Sequence, residues 1–121
     1  MRRSRRPRSA LDGVWAVNRI ELSGRLRARD PQRYTPAGIP VIEFRLEHES
    51  EQEEAGHKRR VSCEIACVLL GGQTGLLAAT NMGDALLVRG FLAAKSLKNQ
   101  TPVLHVNEIE FQEGNENGIQ T

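Results

Sequence analysis

From Asn18 to Phe111 the chain is written largely in a two-residue period, interrupted at intervals by glycine and proline. A strand turns successive side chains to opposite faces, so this alternation calls for half-buried strands and leaves little room for helix. Ile20, Leu22, Leu26 and Ala28 share one parity, while Arg19, Glu21, Ser23, Arg25, Arg27 and Arg29 share the other. The pattern predicts a first strand beginning at Asn18 with one charged face. Asp30 to Gly38 holds Pro31, Pro36 and Gly38, which break strands and make turns, and reads as a loop. Ile42, Phe44, Leu46 and His48 then alternate with Glu43, Arg45, Glu47 and Glu49 as a second strand. Glu49 to Gly56, acidic and ending in glycine, is expected to connect it to a third, in which Val61, Cys63, Ile65, Cys67 and Leu69 face inward. Gly71 to Met82 is rich in small residues, and Leu76 to Ala79 is its candidate for a short helix. Ala85 to Ala93, with Gly90 at an expected bulge, and Val103 to Phe111 complete the series.

Five strands with one short insertion between the third and fourth is the element order of an OB-fold. A five- or six-stranded SH3-like barrel is the nearest competitor, but it has no expected place for that insertion. The fold expected is therefore all-β, a five-stranded OB-fold barrel with a short helix or loop between strands three and four. A chain of 121 residues is the size of one domain. We place the domain at residues 18–113, between a basic, disordered arm over residues 1–17 and a polar tail over residues 114–121.

The net charge of +2 conceals an asymmetry. Arg2, Arg3, Arg5, Arg6 and Arg8 supply five of the 17 basic residues, and all 15 acidic residues lie at or beyond Asp12, so from Ser9 onward 12 basic residues face 15 acidic ones. Overall basicity is thus no argument for a nucleic-acid partner; only the placement of the remaining cations can be one. The arm itself reads either as a nucleic-acid-binding tail or as a solvated leader, and blocks of like charge favour the second. No apolar run is long enough for a membrane span, the arginine run leads into no apolar stretch of a signal peptide, and two cysteines are too few for a disulfide framework. No membrane association and a cytoplasmic location are expected.

Catalysis finds little footing. Cys63 and Cys67 with His48 or His57 are conceivable zinc ligands, but both cysteines share the inward parity of their strand and read as small buried hydrophobes. No serine or cysteine lies in a glycine elbow, and the three histidines are scattered. Glu51, Glu53 and Glu54 read as a solvated loop, and Gly71, Gly72 and Gly75 lack the lysine of a phosphate-cradling loop. Neither an active site nor a cofactor is expected.

The cations of the domain fall in a pattern. Arg25 and Arg27 lie on one strand face, Arg33 follows in the first loop, and Lys58, Arg59 and Arg60 open the third strand. Lys95 and Lys98 lie in Ala94 to Pro102, a loop free of acidic residues between strands four and five. An OB-fold presents nucleic acid to its second and third strands and to the loops joining strands one to two and four to five. Such a basic groove binds single strands by releasing counterions. Of the five aromatic residues, Phe44, Phe91 and Phe111 are expected in the core, which leaves Tyr34 as the main exposed candidate for base stacking and Trp15 in the arm.

NRIELSGRL at Asn18 to Leu26 and RYTPAGIPVIEFRLEHES at Arg33 to Ser50 resemble the opening half of bacterial single-stranded-DNA-binding proteins and of their relative, the primosomal replication protein N family. QEEAG at Gln52 to Gly56, GDALLVRGFLAAK at Gly83 to Lys95 and the following VLHVNEIEF resemble the latter, and the residues after Phe111 do not resemble the linker and acidic, apolar-tipped terminus of the general binder. The resemblance covers Asn18 to about Glu113. It implies a homodimer that binds single-stranded DNA and assembles with the restart helicase and other primosome proteins at stalled forks. It also implies DNA contacts at Arg59, Lys95 and Lys98 and on the faces around Arg25 and Arg45. Where family members place aromatics after the glycine and before the cysteine of the third strand, this chain has His57 and Ser62. Binding mainly through phosphates is the expectation that follows.

Overall fold

A computed structural model describes residues 16–112. The elements are β1 (Ile20–Arg29), β2 (Arg33–Tyr34), β3 (Pro40–Glu54), β4 (His57–Leu70), α1 (Thr74–Ala78), β5 (Ala85–Ala94) and β6 (Pro102–Phe111). The strands follow one another in the order β1-β5-β6-β4-β3-β2, and a further pairing of β1 with β3 closes the sheet on itself. β1, β3, β4, β5 and β6 thus form the five-stranded OB barrel, with β2 a short edge on β3, β4 parallel to β6 and α1 between the third and fourth barrel strands. The arm up to Trp15 lies outside the described residues, as does the polar tail.

The inward parity of each strand fills the interior. Leu26, Ile42, Phe44, Leu46, Cys67, Leu69, Leu86, Val88, Leu104, Val106 and Ile109 pack together, and Leu77 of α1 plugs one end. Two glycines let the barrel close. A Cβ on Gly24 would lie 2.5 Å from the Glu47 carbonyl oxygen, at the place where β1 leaves β5 for β3. A Cβ on Gly90 would lie 1.8 Å from the His105 carbonyl oxygen, where the β5–β6 register shifts between Arg89 and Gly90. The bulge expected at Gly90 is therefore present, and Asn107 on β6 is the residue passed over between the partners Val106 and Glu108.

Four expectations need correcting. Glu49 to Gly56 is not a connection: β3 and β4 run on, paired residue for residue, to a turn at Ala55 and Gly56, with φ of 53° and 80°. Two consecutive positive φ values are those of a type I′ hairpin turn. Beyond the barrel the hairpin has no core to alternate against, and its pairing sets Glu51 opposite Arg60 and Glu53 opposite Lys58, so hydrophobic periodicity is silent there. The same projection exposes Cys63: it keeps the inward parity of β4, but it lies opposite His48 where the hairpin leaves the barrel, and only Cys67 is buried. Ala28 is exposed and not inward, because a register shift between Leu26 and Ala28 interrupts the alternation of β1. Phe91 and Phe111 are 40% and 47% exposed: Phe91 has outward parity in a run that is apolar on both faces, and Phe111 ends its strand at the open rim of the barrel.

The two thiols differ in consequence. Burial pushes the Cys67 thiol up to about 12, so it stays protonated, while Cys63 is open to solvent. Iodoacetamide at neutral pH is expected to add one carbamidomethyl group to the native protein, at Cys63, and two after denaturation, as read by mass spectrometry. Native modification at Cys67 would contradict this packing.

Candidate nucleic-acid interface

Outer-face residues of β1, β3, β4 and β6 and the loop after β5 enclose an open groove of about 510 Å³. Ala28, Arg29 and Asp30 form one wall, Arg45, Ala66 and Val68 part of the floor, and Lys95, Asn99 and Thr101 the opposite rim, with Val103 and His105 beneath. The loop between β5 and β6 is held in shape by its own hydrogen bonds. Lys95 N–H donates to Thr101 O (2.9 Å), Ser96 N–H to Asn99 O (2.9 Å) and Asn99 N–H to Ser96 Oγ (3.0 Å). That closure leaves Lys95, Leu97 and Lys98 pointing into solvent, with Leu97 97% exposed.

The structure divides the cations expected from sequence. Lys95 lines the groove and Lys98 stands in the same loop. Arg45 lies on the floor, but its Nε donates to Glu64 Oε1 at 2.9 Å, and Arg27 Nε donates to the other oxygen of the same carboxylate at 3.3 Å. Arg33 pairs with Glu43, a groove residue, and Arg59 Nη1 donates to Glu54 Oε1 at 2.8 Å near the hairpin tip. Arg25 faces a different hollow, shared with Ser23, Glu47 and Glu49, where its Nη1 donates to Gly83 O at 2.8 Å. Lys58 and Arg60 lie on the hairpin beyond the barrel. Among the described residues Lys58, Arg60, Lys95 and Lys98 have no carboxylate oxygen within 4.0 Å. Tyr34 is exposed on β2, its hydroxyl accepting from Gln32 Nε2 at 3.0 Å. Arg29 departs from the face of Arg25 and Arg27: its Nη1 donates to Leu77 O (2.9 Å) and to Thr80 O, closing the end of α1 onto the barrel.

Glu64, outside the groove lining itself, is thus the counter-charge of Arg45 on its floor. The hydrogen bond from Arg45, with the charges of Arg45 and Arg27, holds its carboxyl below the ordinary value against an opposing effect of desolvation. It is therefore ionised throughout the neutral range, and both arginines are released only as pH falls through that lowered value. An exposed ion pair of this kind is weak and exchangeable for a phosphate. Glu64→Gln is expected to free Arg27 and Arg45 and to tighten single-strand binding by roughly 5- to 25-fold at 0.1 M salt while steepening the salt slope by about 0.7–1.4, which a titration at several salt concentrations reads. Unaltered affinity would place the strand away from the floor.

Among the described residues no group of three His, Cys, Asp or Glu side chains is placed to hold a metal ion. Sequence reasoning missed Phe91, whose ring stacks on His105 with centroids 5.2 Å apart and planes 6° from parallel. The signal available was its odd parity between Gly90 and Leu92.

The closed five-stranded barrel with a basic loop over an outer groove is that of an OB-fold, and residues 18–108 match a family described as another single-strand binding protein family. The chain is 44% identical over 92 residues to the replication restart protein PriB of Bordetella pertussis, covering 76% of this chain and 86% of that one. The PriB structure from Ralstonia solanacearum superposes with a TM-score of 0.72 at 32% identity, covering 81% of this chain and 100% of that one. The single-stranded DNA binding protein from Thermus aquaticus superposes with a TM-score of 0.67 at 26% identity, over 83% of this chain and 52% of that one. None of these names is that of an enzyme. The chain belongs to the PriB, or primosomal replication protein N, family within the single-strand-binding proteins.

Proposed function

We propose that the chain is a non-catalytic, single-stranded-DNA-binding component of the replication restart primosome, acting in the cytoplasm to stabilise the restart helicase on DNA at stalled forks. The observation that carries the DNA half is the loop bearing Lys95 and Lys98, unpaired among the described residues, on the rim of the groove that OB-folds offer to single strands. The cations Arg27 and Arg45 wait on Glu64 below it, and Tyr34 and Arg33 extend the surface along β2. Arg25, Lys58, Arg59 and Arg60 are offered as peripheral phosphate contacts, the last three on the projecting hairpin. Affinity of this kind falls with salt and does not depend on sequence.

The helicase and homodimer assignments rest on family membership. A homodimer also suits the edge of β1: Ile20 to Gly24 pair with β5 on one side, and β3 takes up the other side only from Arg25. An unpaired edge invites a strand from a second copy. A second reading, a protein-interaction module with little DNA affinity, is favoured by one observation: β3 sets Glu43, Glu47, Glu49, Glu51 and Glu53 on one face. Gel shifts of restart helicase on forked DNA carrying a single-stranded gap separate the two. The proposed function expects added chain to increase the retained helicase on gapped forks and to do less on fully duplex forks. Equal retention on both forks supports the module, and no retention removes the helicase assignment.

A further inference from the structure

Beside the groove, in an adjoining hollow shared with Glu21, Arg89 and Glu108, lies an aromatic ring that reaches the groove through His105. Phe91 projects from the outer face of β5 directly opposite His105 of β6, and their rings lie 5.2 Å apart and 6° from parallel. Large aromatic side chains bury strongly, yet this one stands 40% exposed. His105 is at once its stacking partner and part of the groove floor, where its backbone register partner on the other side is Val68 of β4. Phe91 and Ala93 share the outward parity of β5, and Lys95 follows one residue past the end of that strand on the groove rim, about 13 Å further along the chain. A flat ring with a cation further along the chain and an open groove beside it is the combination that holds a base and its phosphate.

The other outward features near Phe91 do not compete for that role. Arg89, the preceding outward residue on β5, is already held by Glu21 (2.8 Å), Glu108 (3.5 Å) and Glu110 (3.4 Å). That carboxylate cluster repels a phosphate backbone, so a strand lying over Phe91 is directed toward Lys95 and the groove.

We propose that the Phe91–His105 stack is the base-stacking platform of this groove, taking one nucleobase of a single strand whose phosphates run on to Lys95. The inference rests on single-strand binding as the function of the groove. It converts the expectation of phosphate-only binding into one with a base contact at a defined place.

The test compares anisotropy titrations of a labelled oligothymidylate and an abasic oligonucleotide of the same length, for the unaltered chain, Phe91→Leu and Phe91→Tyr. Phe91→Leu is expected to weaken oligothymidylate binding by roughly 5- to 100-fold, the range of one base–aromatic contact, with abasic binding and the salt slope unchanged. Phe91→Tyr keeps the ring and is expected to restore the affinity. Equal losses on both oligonucleotides would make the pair a structural element only, and no loss on either would put the strand elsewhere; each overturns the platform while leaving single-strand binding intact. A shift in sedimentation of Phe91→Leu would assign the ring to a contact between copies and overturn it likewise. An unaltered chain that binds neither oligonucleotide would overturn the proposed function itself, and the platform with it.

Discussion

Lys95→Ala combined with Lys98→Ala is expected to lower single-strand affinity by roughly 60-fold at 0.05 M monovalent salt and roughly 10-fold at 0.2 M, and to flatten the salt slope by about 1.4. The magnitude follows from counterion release alone, with each single-strand phosphate contact contributing a slope of about 0.7 and losing its effect near 1 M salt. Both side chains are exposed, and neither has a carboxylate within 4.0 Å among the described residues, so nothing in the fold depends on them. The thermal midpoint should therefore hold within the small range of surface substitutions. The loss should also be uniform across base sequences, because a lysine on a phosphate reads no base. Equilibrium titrations at several salt concentrations check both numbers together. A weakened affinity with an unchanged slope would mean that the lysines act through the shape of the loop and not through charge.

Gly90→Ala is expected to lower stability by about 2–3 kcal/mol or more, the scale of forced overpacking in a closed core. For a domain of this size that is a fall in melting temperature of roughly 10–20 °C. The cause is local: the new methyl group would sit 1.8 Å from a backbone oxygen, and no side-chain rotation can move it. Relief requires β5 and β6 to separate at His105, so Phe91, the next residue, would lose its stacking partner as well. Calorimetry of the variant measures the first effect, and a native midpoint would show that the two strands can part without cost.

How much of this was legible in the residues depended on whether a hydrophobic interior was present to impose a pattern. Where one face of a strand meets the core, as from Ile42 to Leu46 or Ile65 to Leu69, parity places every side chain correctly, and the barrel order with its insertion between strands three and four follows. Where a strand leaves the core, parity loses its meaning. The hairpin from His48 to Cys63 is polar on both faces and carries no inward apolar series, so its extent rests on the Ala55–Gly56 turn and on cross-strand pairing that one strand alone does not announce. Cys63 was misplaced for the same reason. In β5 the run from Ala85 to Ala94 is apolar on both sides apart from Arg89, so that one charge, two residues before Phe91, is all that marks its face as outward.

The site was legible in its parts and not in its couplings. The loop of Lys95 and Lys98 stood out because it is basic in an acidic domain. That Arg27 and Arg45 converge on one carboxylate could not be read, since Glu64 meets Arg45 diagonally across the β3–β4 hairpin, 19 residues apart, and Arg27, 37 residues away, only once β1 closes onto β3. Nor could the different partners of Arg25 and Arg27, which sit two apart on one strand: Arg25 reaches the Gly83 carbonyl and Arg27 the Glu64 carboxylate, on either side of the register shift after Leu26. The stacked Phe91–His105 pair depends on the register of β5 against β6.

Single-strand binding by the groove is tested most directly by fluorescence anisotropy of labelled single-stranded and duplex oligonucleotides across a salt series, with the full chain and with a chain starting at Asn18. Both chains are expected to prefer the single strand, with affinity falling as salt rises, because Lys95, Lys98 and the groove are present in each. A chain that binds single and duplex strands alike, or a preference that vanishes when the arginine arm is removed, would contradict a strand-binding groove in this barrel.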